Sequence, residues 1–233
     1  MTHQDFVGSE HKRQRYWARS VAASDYFSKA RPNQGHRALA TLEEMGVVDH
    51  IITQNVDRLH RSAGSKNVLE MHGHIDGVQC LSCKNEYSRE KFHEQTREKN
   101  SLWIQRNLPR SVDIRADGDA NLTESDFSQF TVPSCGSCDG ILMPTIVFFG
   151  GSMTDETRNR SFEIIEQADK VLVVGTSLAV WSAFRLCKHA HELGKPLGII
   201  NIGETRADTI SSFKCDQTNI GALLGKLVTC IQS

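Results

Sequence analysis

The clearest periodic pattern begins at residue 33, where Asn33 precedes a run with Ala38, Leu42 and Met45 on one face and Gly46 at its end. An amide side chain before the run and a glycine after it are the capping signals of a helix, here expected over residues 33–45. A short apolar run at 50–53 follows and ends in the polar stretch Gln54-Asn55-Val56-Asp57. The second half repeats this grammar more strongly. Thr154 can cap a helix that buries Phe162, Ile165 and Ala168, and residues 171–174, all apolar, read as a strand of the parallel, doubly covered kind. A helix from about Trp181 to Leu193 stops at Gly194, and residues 197–201 form the next strand. Alternating units of this length predict an α/β fold, a Rossmann-like doubly wound parallel sheet.

Between Cys83 and Cys135 the pattern breaks down into polar and charged sequence, with residues 115–130 the least periodic. This segment reads as an insertion around a metal site, mobile in places. The expected organisation is one Rossmann-like domain over 1–78 and 141–233, interrupted by a small zinc-binding module over 79–140.

Charge narrows the function. The 233 residues carry 27 Lys and Arg against 28 Asp and Glu, a net charge of −1, so no global field favours nucleic acid or an anionic membrane. The longest apolar stretches, 141–149 and 171–174, fall short of the roughly 20 residues that span a bilayer. The opening residues show no apolar h-region and no transit-peptide composition. Seven cysteines, an odd number, do not suit a disulfide framework and favour a reducing compartment; Cys187, Cys215 and Cys230 read as small apolar residues.

The other four form two pairs, Cys80-x-x-Cys83 and Cys135-x-x-Cys138, separated by 51 residues. Two such turns complete a tetrahedral thiolate shell for one Zn2+ and leave no open position, so the zinc is expected to be structural. The separation exceeds the usual ribbon gap of about 15–20 residues, and a redox pair or two unrelated turns are the alternatives. The strand at 171–174 runs into Gly175-Thr176-Ser177, a small-residue turn at the carboxyl end of a parallel strand, where open α/β sheets bind phosphate or ribose. Asn201, with Ile202 and Gly203 after it, stands at the same edge, equally readable as a ribose contact or a strand-end turn residue. Gln54, Asn55 and Asp57 can hold a carboxamide and a ribose. A histidine is the natural general base at neutral pH, although chemistry alone does not choose His72 over His60 or His74.

Taken together, residues 53–57, His72-Gly73, the two CxxC pairs, Pro144 to Gly150 and residues 175–178 occur in the order of the sirtuin signature, and the chain resembles that family over nearly its whole length. The stretches RQRYWAR at 13–19, ADGD at 116–119 and NIGETRAD at 201–208 are most similar to class II, and to its mitochondrial member that is the fourth human paralogue. The resemblance implies an NAD-dependent protein-lysine deacylase, with ADP-ribosyl transfer and lipoamidase activity as related outcomes, in the mitochondrial matrix. Its partners would be acyl-lysine proteins and not nucleic acid or membrane. It implies that His72 deprotonates a ribose hydroxyl, that Asn55 and Asp57 line the nicotinamide pocket with Gln54 at the adjoining ribose and Val56 among the cofactor-binding residues, and that Gly175, Thr176, Ser177, Asn201, Ile202 and Gly203 border the adenosine half, with Ile220 against the adenine. Val147, Phe148, Phe149 and Gly150 would form the strand edge that pairs with substrate peptide. In the family's reaction the acyl oxygen attacks the ribose C1′ as nicotinamide leaves, yielding free lysine and O-acyl-ADP-ribose.

Three departures qualify what the resemblance implies. The family's GAG-S loop and GIPD-aromatic-R segment would precede Asp5 and are not in this sequence, so weak NAD binding by an N-terminally truncated chain is expected. An impaired fragment acting only as a zinc- and peptide-binding module is the alternative function. Gly151 stands where the family has an acid, and Ile220 where relatives place a cysteine against adenine. A plain zinc-ribbon nucleic-acid binder accounts for neither His72 nor the Gly175 turn and lacks a basic excess.

Overall fold

A computed structural model of the chain describes residues 1–108, 122, 126–216 and 219–232. In chain order the elements are α1 (His3–Gly8), α2 (Glu10–Lys29), α3 (Gln34–Glu44), β1 (Ile51–Thr53), α4 (Leu59–Ser62), β2 (Val68–Glu70), β3 (Gly73–Cys80), β4 (Glu86–Ser88), α5 (Arg89–Lys99) and α6 (Ser101–Asn107). There follow β5 (Leu142–Ile146), α7 (Asp155–Gln167), β6 (Val171–Val174), α8 (Trp181–Glu192), β7 (Leu197–Ile200), a short 3-10 turn, β8 (Phe213–Cys215) and α9 (Ile220–Gln232). The ADGD stretch at 116–119 lies outside the described residues.

By packing, the chain divides into two units, Met1–Ala30 with His72–Ser152, and Arg31–Met71 with Met153–Ser233. Composition places an inserted module at 79–140; the unit that holds the cysteines also includes 1–30, 72–78 and 141–152. In this first unit α1 and α2 are set by local chemistry. Thr2 and Asp5 form a capping box, and Ser9 accepts from the Lys12 amide at the next helix start. Their apolar faces supply Phe6 and Trp17, both fully buried, to a core shared with Phe92, Trp103, Phe130, Leu142 and Phe148. The Trp17 indole donates to the Leu142 carbonyl at 3.3 Å, so the ring's one polar group is satisfied inside that core. β3 lies between β4 and β5 in an antiparallel sheet, with a register shift between Gly73 and Val78.

The second unit is the Rossmann-like α/β part. β6, β7 and β8 run parallel, and every residue of β7 is buried, as a strand covered on both faces requires. β1 and β2 form a separate parallel pair. The helix expected at 33–45 is α3, capped by Asn33 with His36 closing the box and stopped at Gly46 with φ +72°. α3 packs on α9 where Gly35 and Gly221 meet, close enough that a β-carbon on Gly221 would lie 3.2 Å from the Gly35 nitrogen. Thr154 caps α7, which buries Ile164 and Ile165; Phe162 is partly buried and Ala168 caps the helix end. Among the described residues no helix is long and apolar enough to cross a membrane.

Candidate functional site

The four paired cysteines sit on two matching turns of the first unit. In one, the Lys84 amide donates to the Cys80 carbonyl at 3.1 Å and the Cys80 amide to the Asn85 carbonyl at 2.9 Å. In the other, Asp139 donates to Cys135 at 2.9 Å and Cys135 to Gly140 at 3.0 Å. Lys84 and Asp139 both adopt left-handed backbone, with φ of 64° and 55°. This repeated turn aims two sulfurs from each side at one point. All four sulfurs lie within 4.8 Å of one another, with Cys80 to Cys138 at 3.5 Å and Cys83 to Cys135 at 3.6 Å.

Those separations are far beyond the roughly 2.05 Å of a disulfide. They approach the edge of about 3.8 Å expected for a tetrahedron with zinc–sulfur bonds of ~2.3 Å. The thiols also need a cation electrostatically. The Tyr87 hydroxyl, 3.0 Å from Cys135, holds that thiol down at about 6. Cys138, despite the Gly140 amide, is pushed up to about 12 by the sulfurs of Cys83 and Cys80. Four adjacent thiolates coexist only around a positive charge, so the residues fit one structural zinc. Gly140 is part of that fit, since a β-carbon there would lie 2.7 Å from the Cys80 sulfur.

In the second unit the carboxyl ends of β1 and β6 carry the two polar motifs. Gln54, directly after β1, donates through Nε2 to the Thr176 hydroxyl at 3.1 Å, joining positions 122 residues apart. Thr53 Oγ1 accepts from the Asn55 amide at 3.1 Å, and Asp57 Oδ1 accepts from the Leu59 amide at 2.9 Å. Arg58, between those last two, is left-handed at φ 63° and pairs with Glu70. Gly175 has φ +64°, and a β-carbon there would meet only Ile220 Cδ1, at 3.4 Å. The backbone at this turn is therefore open to a ligand, with the hydroxyls of Thr176 and Ser177 next in line. Thr176 Oγ1 also accepts from the Leu178 amide at 3.1 Å, and the Ser177 carbonyl from Arg206 at 3.0 Å. Open glycine backbone, hydroxyls, carboxamides and an apolar wall at Ile220 suit the ribose and adenine of a nucleotide.

Asn201 is buried and spends its amide on its own turn, donating to Ile202 and Gly203 at 2.9 and 3.4 Å. Its side chain closes the turn at the end of β7. Gly203, with φ +73°, donates to Asp216 at 3.0 Å, and the Ile202 side chain is exposed at this edge.

The three candidate histidines have different surroundings. His72 follows β2 by two residues, and its carbonyl accepts from Val147 at 2.8 Å. His60 packs against His36 with ring centroids 4.7 Å apart. Burial, then the neighbouring His36, lowers the His60 pKa; burial likewise lowers that of His36. His74 buries its Nδ1 without a hydrogen-bond partner. Residues 147–150, expected as a strand edge, lie past the end of β5. Phe149 forms a single parallel bridge with Thr2, and its carbonyl accepts from the His3 amide at 2.9 Å. The regular strand stops at Ile146 because its partner β3 ends opposite, at Gly73. Gly151 follows in the turn, donating to the Phe148 carbonyl at 2.9 Å. Glu70 and Tyr87 escaped sequence reasoning: a lone acid in a short strand and a lone tyrosine carry no spacing signal.

A nucleotide-binding α/β unit with a four-cysteine knot defines a recognisable class, and the chain belongs to the Sir2 family, whose sequence profile matches residues 1–182. It is 43% identical over 227 residues to an NAD-dependent protein deacetylase of Xanthomonas campestris pv. campestris, covering 96% of this chain and 75% of that protein. An NAD-dependent protein deacylase of Monosiga brevicollis is 42% identical over 211 residues, covering 90% and 68%. Among solved structures, Sir2Tm bound to a propionylated peptide superposes with a TM-score of 0.76 at 27% identity, covering 99% of this chain and 83% of that one.

Proposed function

We propose that the chain is an NAD-dependent protein-lysine deacylase. The observation that carries this reading is the hydrogen bond from Gln54 to Thr176, which joins the carboxamide-rich loop to the open Gly175 turn on one edge of parallel strands. That arrangement offers a carboxamide-binding end and a ribose-binding end to one dinucleotide. Relatives at 42–43% identity are named NAD-dependent deacetylase and deacylase, and the structural neighbours include forms bound to acetylated and propionylated peptides.

NAD, when bound, supplies the ribose that accepts the acyl group. In this chain Gln54, Asn55, Val56 and Asp57 hold its nicotinamide side, and Gly175, Thr176, Ser177 and Ile220, with the 201–203 turn, hold its adenosine side. His72 takes the proton from a ribose hydroxyl, which is a poor nucleophile until a base removes it. The backbone of 147–150 receives the peptide by strand pairing, and Phe149, whose side chain is largely exposed, lies beside it. Cys80, Cys83, Cys135 and Cys138 hold one zinc that stabilises the first unit and takes no part in the reaction.

The finer assignment is to class II, supported by RQRYWAR and NIGETRAD, and with it location in the mitochondrial matrix. The function is tested by incubating the protein with NAD and a panel of acyl-lysine peptides while following peptide mass and nicotinamide. Acyl loss matched one to one by nicotinamide release and by O-acyl-ADP-ribose supports it. Acyl loss without NAD, or none with any peptide, overturns it. Import of a fusion of the full-length protein into isolated mitochondria tests the location.

A further inference from the structure

We infer that Glu70 is a positioning residue that clamps both ends of the 54–57 loop; the inference rests on the reading of that loop as the nicotinamide side of the NAD pocket. The loop leaves β1 at Thr53 and ends where α4 begins. Thr53 is the cross-strand partner of Glu70 in the parallel pair of β1 and β2, and the Met71 amide, one residue on, donates to the Thr53 carbonyl at 2.9 Å. At the loop's other end Arg58 Nη1 bonds Glu70 Oε2 at 2.9 Å. One side chain therefore holds the residue after the loop, and its backbone is paired with the residue before it.

The backbone at Arg58 explains why this hold is needed. Arg58 is left-handed, with φ 63° and ψ 11°, a conformation an arginine does not favour by itself. Its side chain makes no capping bond to α4; that role falls to Asp57, whose Oδ1 receives the Leu59 amide. The direction of the Asp57 carboxylate thus depends on the turn at Arg58, and the turn is anchored by Glu70. The anchor is firm. The Glu70 side chain is only 8% exposed, and its second oxygen lies 3.4 Å from Arg61 Nε. Arg61 is itself fixed by a bond from Nη2 to the Val68 carbonyl at 2.6 Å. A buried carboxylate flanked by two guanidinium groups makes charge-assisted bonds on both sides, which hold it in one place. Two residues beyond Glu70, past the end of β2, the chain reaches His72, the proposed base.

The test uses the full chain and the substitutions Glu70→Ala, Glu70→Gln, Arg58→Gly and Glu70→Ala with Arg58→Gly. Amide hydrogen exchange across 54–59 is measured without NAD, and kcat and KM for NAD are measured with an acyl-lysine peptide. Glu70→Ala is expected to speed exchange in the loop and to raise KM for NAD on the order of tenfold, as loss of one charge-assisted bond does, with kcat and zinc content kept. Glu70→Gln, which keeps the shape, is expected to show the same changes more weakly. Arg58→Gly should stay near wild type, because glycine enters the left-handed region freely, and it should blunt the effect of Glu70→Ala. Equal effects of Glu70→Ala in both backgrounds, or a fall in melting temperature with exchange and KM unchanged, would overturn the clamp. The exchange measurement needs no NAD, so a chain with a rigid loop that loosens in Glu70→Ala but shows no NAD-dependent activity would reject the proposed function and keep the clamp.

Discussion

Gly73 approaches the carbonyl of Thr145 so closely that a β-carbon on it would stand 1.9 Å from that oxygen. With φ at +76° the position is closed to other residues by conformation as well as by space. This contact lets β3 start beside β5, and it fixes the chain direction immediately after His72. Gly73→Ala is expected to destabilise the protein by more than about 1 kcal/mol, since strain and clash add. Thermal melting against wild type checks this, with the exposed Gly46→Ala, which has the strain without the clash, as the milder comparison.

Zinc should be present at one per chain. Cys135→Ser is expected to abolish stoichiometric zinc and lower the melting temperature, because closing the tetrathiolate shell is part of folding the first unit. Tyr87→Phe keeps all four ligands but removes the hydroxyl 3.0 Å from Cys135. It should retain zinc after purification and lose it to a chelator more easily, with affinity reduced on the order of 10-fold to 100-fold. Metal analysis and competition with a coloured chelator measure both.

The first unit also sets a pH limit. His93 on α5 is buried and bonded to the Ser20 hydroxyl at 2.8 Å, and burial, then Arg89 and Arg97, pull its pKa down to about 3. The unfolded chain, with His93 at its ordinary 6.5, therefore binds a proton that the folded chain refuses between those values. Stability contributed by the neutral ring is present above about pH 6.5 and is lost as pH falls toward 3, at up to about 1.4 kcal/mol per pH unit. Denaturant unfolding at pH 7 and pH 5 should show this drop. His93→Gln, which cannot be protonated, should flatten it.

The second unit was largely legible in the sequence, because its elements are local. Asn33 and Gly46 bracket α3, Thr154 opens α7, and the apolar run of β6 needs no partner to be recognised. The zinc cluster was legible for the same reason, as the CxxC spacing is itself the geometry. What escaped notice depends on distant partners. α1 and α2 fold against β5 and α5, and nothing in residues 1–30 announces that Trp17 will reach the carbonyl of Leu142. The end of β5 at Ile146 follows from where β3 begins, and the role of Glu70 appears only when β2 is laid beside β1.

Thr176 links the two polar motifs through its hydroxyl, which accepts from both Gln54 and Leu178. Thr176→Val keeps the shape and removes both acceptor contacts. It is expected to raise KM for NAD on the order of tenfold, with the peptide KM unchanged. Thr176→Ser, which restores the oxygen, should return most of the loss; steady-state kinetics in both substrates decides it.

Whether His72 is the base of an NAD-dependent acyl transfer is decided by comparing turnover of an acyl-lysine peptide by wild type, His72→Ala, His60→Ala and His74→Ala. Each variant is first checked for zinc content and melting temperature. His72→Ala is expected to lose on the order of 10²–10⁴ in rate with fold and zinc intact, while His60→Ala, whose ring packs against His36, and His74→Ala, whose ring lies against Gly77 within β3, lose far less. Near-full turnover by His72→Ala, or an equal loss in either control with folding unchanged, would contradict it.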